Sequence, residues 1–117
     1  MKNKKIIKPW GYELLIEKNK KYMFKMLFMK KGKRCSLQFH NKKKETIFVL
    51  SGKLNIIAGN NLKNLKSKIF QRYSFVTLKP KVIHRMEAIT DTFYLESSTP
   101  EILDVVRIED DYKRKTR

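Results

Sequence analysis

Cysteine is nearly absent from this 117-residue chain. The one residue, Cys35, excludes an intramolecular disulfide and any Cys-rich zinc cluster, and it fits a reducing compartment. Long apolar runs are missing as well: none approaches the roughly 20 residues that a membrane-spanning helix requires. The basic start Met1-Lys2-Asn3-Lys4-Lys5-Ile6-Ile7-Lys8 has no apolar segment behind it, because charge returns at Lys8, so no secretory leader is expected. A soluble, cytoplasmic protein follows from these absences. No stretch carries convincing helical periodicity, and there is no internal repeat, linker or glycine-rich nucleotide loop. Acid is scarce: 11 acidic against 28 basic residues leave a net charge of +17.

Such an excess of base invites a nucleic-acid reading, yet its composition argues against one. Lysine outnumbers arginine 22 to 6, whereas nucleic-acid readers lean on arginine for bidentate contacts and stacking. Lysine, asparagine and isoleucine are all plentiful, as AT-rich coding would produce. The lysines (Lys18, Lys20, Lys21, Lys30, Lys31, Lys42, Lys43, Lys44) are scattered at turns and strand ends, where they also protect sheet edges. Attraction toward anionic small molecules such as sugar phosphates is the expectation instead.

What the chain does contain is short β-branched and aromatic runs separated by turn signals, the pattern of a sandwich or small barrel. Strands are predicted over Tyr12–Glu17, Tyr22–Met29, Arg34–His40, Glu45–Leu50, Lys53–Ala58, Lys68–Tyr73, Ser74–Leu78, Val82–Ala88 and Thr92–Ser97. Lys31-Gly32-Lys33, Ser51-Gly52 and Gly59-Asn60-Asn61 supply turns. Pro80 bends the chain before His84, since it cannot donate to a ladder. The segment Glu101–Asp111 reads as a strand or a short helix, and residues 113–117 as a frayed basic end. At this length one domain is expected.

The most informative segment is Ser36-Leu37-Gln38-Phe39-His40, followed by Glu45 and a distant His84. On an extended strand Gln38 and His40 leave the same face. A hairpin through Asn41-Lys42-Lys43-Lys44 would bring Glu45 back beside His40, and His84 arrives from a later strand. An amide oxygen, a carboxylate and two imidazoles can then converge on one cation. The spacing leaves a second orientation open. Cys35, Leu37 and Phe39 form the apolar face of that strand, so in an ordinary antiparallel sheet Gln38 and His40 would face water.

Five segments in order resemble the cupin superfamily, and within it the type II mannose-6-phosphate isomerase-like domain. That domain is also found as the C-terminal part of bifunctional mannose-1-phosphate guanylyltransferase/isomerases. The segments are Lys8-Pro9-Trp10-Gly11-Tyr12-Glu13; Lys25 with the run Lys31 to His40; Glu45 with Ser51-Gly52; Pro80 to Arg85; and Asp104 to Tyr112. The resemblance implies an all-β fold: a single cupin domain over 1–117, a double-stranded β-helix or jelly-roll barrel. Its N-terminal strands would span 6–29, its barrel core 30–100 and its C-terminal segment 101–117.

The resemblance also turns Gln38, His40, Glu45 and His84 inward as ligands of a divalent metal: zinc first, with manganese, iron, cobalt or nickel also admitted by the mixed N and O donors. Cys35, Leu37 and Phe39 would then point outward and need cover, from the N-terminal strands or from a second subunit, which makes a homodimer the expectation.

The implied activity is a metal-dependent aldose–ketose isomerisation, mannose 6-phosphate to fructose 6-phosphate, with a non-catalytic metal- and sugar-binding cupin as the alternative. A cupin dioxygenase is a further alternative, against which Gln38 argues. Lys25, Arg107 and Glu96 are the catalytic candidates, with Glu87 a second possible base. Lys25, Arg85, Arg107 and Arg114 are the candidates for the phosphate. The chain departs from the pattern in places: Lys81-Val82 replaces the usual glycine, so that loop is expected to avoid positive φ. Lys43 stands where arginine commonly precedes the glutamate ligand, and Ile47 where tryptophan is frequent. Lys113 interrupts the terminal Tyr-Gly-Arg.

Overall fold

In the computed structural model, residues 4–101 and 103–114 are described. They form eleven strands: β1 (Lys4–Lys8), β2 (Gly11–Lys18), β3 (Met23–Met29), β4 (Leu37–Phe39), β5 (Glu45–Ser51), β6 (Leu54–Gly59), β7 (Lys66–Phe70), β8 (Phe75–Leu78), β9 (Ile83–Ala88), β10 (Thr92–Ser98) and β11 (Val106–Glu109). A single 3-10 turn, Leu62–Asn64, joins β6 to β7 and is capped by the Asn61 side chain, which accepts from the Lys63 amide at 3.0 Å. The strands pack as two antiparallel sheets, β1-β2-β3-β10-β5-β8 and β11-β4-β9-β6-β7. The result is the double-stranded β-helix that the sequence resemblance implied.

Period-2 alternation decides which side chains enter the interior. Along β3 and β10 every second residue is buried: Met23, Lys25, Leu27 and Met29 on one strand, Thr92, Tyr94, Glu96 and Ser98 on the other. The register sets these side chains in rows across the sheet. Leu27 faces Tyr94, which faces Val49, in the apolar half of the interior. One step along, Lys25 faces Glu96; one further, Ser98 faces Glu45. The interior is therefore divided lengthwise into an apolar floor and a charged end. Trp10, Leu54, Ile56, Met86 and the fully buried Met29 and Val49 complete the floor, each large apolar side chain contributing roughly 1.5–3 kcal/mol by burial.

Several expectations require correction. β4 and β5 do not form a hairpin: β4 pairs with β9 and β11, while β5 pairs with β10 and β8. Residues 41–44 cross between the sheets, so His40 and Glu45 meet across the interior. Cys35 does not point outward. It belongs to the buried core, and its sulfur accepts from the Met86 amide at 3.3 Å. The ladder explains why, because Arg34 makes only an isolated bridge to Glu87 and β4 begins at Leu37. The irregular link between them resets the alternation, so that Cys35 and Gln38 both face inward. Leu37 and Phe39 flank the inward-facing Gln38 on β4 and lie outside the core cluster, and large exposed apolar groups lie elsewhere, among them Phe75 and Tyr73 beside Phe48.

Lys81 also overturns an expectation, since its φ is +74°. Pro80 and Lys81 occupy the two central positions of a turn closed by the Val82 amide on the Lys79 carbonyl at 3.2 Å. A positive φ at the third residue is what a type II turn demands. The strain, on the order of 1 kcal/mol, is offset by the Lys81 amide bonding the His40 carbonyl at 2.7 Å. The C-terminal segment is a strand, β11, followed by a hook in which Asp110 accepts from the Arg114 amide at 2.8 Å and from its guanidinium at 2.9 Å. Arg114 is thus anchored where a frayed end was expected; residues 115–117 lie outside the described residues. Gly52 is required by close approach, because a Cβ there would collide with the Asp91 carbonyl.

Candidate metal centre

His40, Glu45 and His84 come together at the charged end of the interior, and all three are buried. One ligand atom from each lies within 4.8 Å of the others. His84 Nε2 is 3.0 Å and His40 Nε2 3.4 Å from Glu45 Oε1. The second nitrogen of each ring fixes its orientation: His40 Nδ1 meets the Asp104 carbonyl at 2.5 Å, and His84 Nδ1 meets the Val82 carbonyl at 3.0 Å. A carbonyl can only accept, so each Nδ1 carries the proton and each Nε2 presents a lone pair. Two lone pairs therefore face a carboxylate oxygen, and none of the three atoms has a hydrogen-bond partner. This is the arrangement that neutral imidazoles and a carboxylate take around a cation.

Gln38 is the direct cross-strand neighbour of His84 and lines the cavity beside Glu45. Its Oε1 accepts from the buried Ser36 hydroxyl at 2.5 Å. An amide oxygen has two lone pairs, so one remains for a cation. The residues present thus fit a divalent metal: two nitrogens, a carboxylate and an amide oxygen, with both Nε2 atoms and Glu45 Oε1 lacking hydrogen-bond partners. Without a cation the cluster relies on protons. Burial raises the Glu45 carboxyl, but His40, His84 and Lys43 outweigh it and hold the group well below the ordinary range. Burial opposes the charged form of His84, yet Glu45 raises it.

Lys43 was not among the residues singled out as functional, and it lies at the centre of the site. It is buried, with Nζ 3.7 Å from Glu45 Oε2 and 3.5 Å from Glu96 Oε2. The loop that carries it is clamped by Asp104, whose carboxylate accepts from the amides of Asn41, Lys42 and Lys43 at 3.0, 2.6 and 2.9 Å. Asp104 therefore positions both His40, through its carbonyl, and Lys43, through its side chain. The two partners of the Lys43–Glu96 pair shift in ways that look opposed. Burial disfavours the Lys43 ammonium, but Glu96 and Glu45 raise it; burial and the Glu45 charge both raise the Glu96 carboxyl. One ammonium cannot neutralise two carboxylates. Lys43 stays charged, and Glu96 is the carboxyl held less firmly in its ionised form. The departure from arginine at position 43, visible in the sequence, was the signal that could have found it.

A cavity of about 810 Å³ reaches this cluster at Glu45 and Gln38, with Lys43 and Glu96 beside them. Lys8, Lys25, Arg107 and Arg114 line it as well, Arg107 directly beside Gln38 across the β4–β11 ladder and Lys25 beside Glu96 across β3–β10. Lys25 Nζ is 3.4 Å and Lys8 Nζ 4.0 Å from Glu13 Oε1. Burial lowers the Lys8 ammonium; Glu13 partly compensates, and the cations Lys25, Arg114 and Arg107 lower it further. Of the residues expected to bind phosphate, Lys25, Arg107 and Arg114 line the cavity and Arg85 does not. Arg85 Nε donates to the Cys35 carbonyl at 2.9 Å, and its Nη2 to the Glu109 carbonyl at 3.3 Å, so it ties strands together outside the cavity. Glu96 lines the cavity. Glu87 does not; it is held by Arg34 at 3.3 Å and Asn55 at 2.9 Å.

Similarity to known proteins agrees with this geometry. Solved structures that match include CapF in complex with 3-isopropenyl-tropolone (TM-score 0.81, 18% identity, 92% of this chain and 34% of that one) and KdgF from Halomonas sp. (0.74, 10%, 86% and 89%). An RmlC-like cupin from Shewanella frigidimarina matches as well (0.75, 14%, 86% and 86%). These identities establish the cupin fold alone, and the chain spans about a third of the CapF chain. No curated protein matches. The family model described as mannose-6-phosphate isomerase C-terminal matches residues 1–110. Nearly the whole chain is covered, including every prospective ligand, and the protein belongs to the mannose-6-phosphate isomerase C-terminal family.

Proposed function

We propose that this chain is a metal-dependent sugar-phosphate isomerase that interconverts mannose 6-phosphate and fructose 6-phosphate. One observation carries the reading: three buried, unpartnered ligand atoms lie within 4.8 Å of one another, and Glu45 and Gln38 of that cluster share a cavity with four cations. Gln38, His40, Glu45 and His84 would hold the metal, zinc first among the cations that such donors admit. A divalent cation in that position supplies Lewis acidity to the carbonyl and hydroxyl oxygens of the sugar, where negative charge develops during proton transfer between C1 and C2. Lys25, Arg107 and Arg114, with Lys8, bind the phosphate and hold the sugar in the cavity. Glu96 lies on the same cavity surface and moves the proton. Lys43 holds Glu96 and Glu45 in one geometry. Trp10, Leu27 and Met86 exclude water from the floor.

A binding module without turnover is the second reading. It draws support from Lys43, whose ion pair with Glu96 opposes use of that carboxylate as a base.

Elemental analysis of the purified protein, followed by turnover of mannose 6-phosphate with and without EDTA and added metals, separates the two. Isomerase activity that EDTA abolishes and a divalent metal restores is expected. Metal and sugar-phosphate binding without turnover under any metal would leave the binding module.

A further inference from the structure

Tyr94 is fully buried on β10, two residues before Glu96 and on the same inward face. It lines the cavity together with Lys25, Glu45 and Glu96. Its cross-strand neighbours are Leu27 and Val49, which offer no polar side-chain atom. The hydroxyl has no hydrogen-bond partner among the described residues. A buried hydroxyl left in this state destabilises the protein, and a phenylalanine would fill the same space without that cost.

We propose that the Tyr94 hydroxyl is a substrate contact, donating a hydrogen bond to a sugar oxygen of a hexose phosphate lodged in this cavity. The proposal rests on the functional reading above and adds a specificity-determining residue to it. Tyr94 sits on the row next to Lys25 and Glu96, at the border between the apolar floor and the charged end. The cations Lys25 and Arg107 and the prospective ligands Gln38 and Glu45 line the same cavity as Tyr94, so a ligand bound there comes up against that border. Burial raises the phenol well above its ordinary range, and Cys35, Glu96 and Glu45 add to the effect, so the group remains a donor at neutral pH. A site that presents such a donor discriminates against an analogue lacking the matching oxygen.

Ser98 provides the control. Its hydroxyl is also buried and unpartnered, on the same face of β10, but it does not line the cavity. The experiment compares wild type, Tyr94→Phe and Ser98→Ala as metal-loaded protein, measuring metal content, Tm and mannose 6-phosphate affinity by calorimetry. Both variants are expected to keep their metal and to melt at or above the wild-type Tm without sugar. Tyr94→Phe alone is expected to bind mannose 6-phosphate about tenfold more weakly, the loss of one hydrogen bond. A Tyr94→Phe protein that melts several degrees lower would show the hydroxyl already partnered and overturn the proposal. So would wild-type affinity in Tyr94→Phe while the wild type binds. A wild type that binds no hexose phosphate would overturn the functional reading first, and the proposal with it.

Discussion

Gln38 and His84 face one another directly across the β4–β9 ladder. Two of the four prospective ligands are therefore set by main-chain pairing in the middle of a sheet, and such positions hold geometry better than loops do. Glu45 is placed likewise, between Ser98 and Leu78 on the neighbouring strands, whereas His40 precedes the crossing segment 41–44 and depends on the Asp104 carbonyl.

Replacing a ring of the prospective ligand set leaves the apolar floor untouched. His40→Ala is expected to lose bound metal, with affinity lower by at least about 100-fold, while circular dichroism reports an unchanged β fold. Full metal content in that variant, measured by elemental analysis, would refute the ligand set. In the wild type, EDTA is expected to lower Tm, since a cation that binds only the folded state stabilises it.

Lys43 is the counter-ion of two buried carboxylates, with its side chain only 9% exposed. Lys43→Met leaves Glu45 and Glu96 facing one another without it. A loss of about 3 kcal/mol is expected in urea unfolding of the metal-free protein, and Lys43→Arg should recover most of it. An unchanged midpoint in Lys43→Met would mean the ammonium is not needed for charge balance.

The backbone at Lys81 carries strain that glycine would relieve. Lys81→Gly keeps the amide bond to the His40 carbonyl and removes the penalty at φ +74°. The expected gain is up to about 1 kcal/mol, read as a higher Tm with unchanged metal content. A lower Tm would mean that the Lys81 ammonium on Asn41, at 3.0 Å, matters more than the strain.

Acid is expected to release the C-terminal hook at an unusually low pH. Burial would raise the Asp110 carboxyl, but hydrogen bonds from the Arg114 side chain and amide outweigh it and hold it below the ordinary 3.8. A depressed carboxyl contributes stability that is present above the ordinary value and is lost as pH falls through the folded one. Amide-exchange protection at Arg114 should therefore persist as pH falls through the ordinary carboxylate value and disappear only in stronger acid. Asp110→Asn should weaken protection at neutral pH and abolish this pH dependence.

Much of the fold was legible because nine predicted strands rest on period-2 alternation, which a two-sheet structure obeys wherever the ladder is regular. It failed where the ladder is not. Arg34 to Leu37 breaks alternation, so Cys35 was assigned to the wrong side. β1 begins at Lys4, where a lysine-rich run hides an edge strand behind its charge. The histidine and glutamate cluster was readable once the resemblance fixed which face was inside. Lys43 was harder to see, because a lysine in a run of lysines looks like a solvated turn; its departure from arginine was the one hint, and the amides clamped by Asp104 show why it turns inward. Arg85 failed for the opposite reason. Its place beside His84 suggested a ligand contact, but neighbours on a strand point to opposite faces.

The reliance of His40 and the 41–44 segment on Asp104 has a bearing on biosynthesis. During translation Gln38, His40, Glu45 and His84 all leave the ribosome before residue 104 does. Until that residue arrives, one imidazole lacks its orienting carbonyl and the crossing segment lacks its clamp. Metal capture should accordingly be a late event in maturation, following closure of the β-helix rather than seeding it.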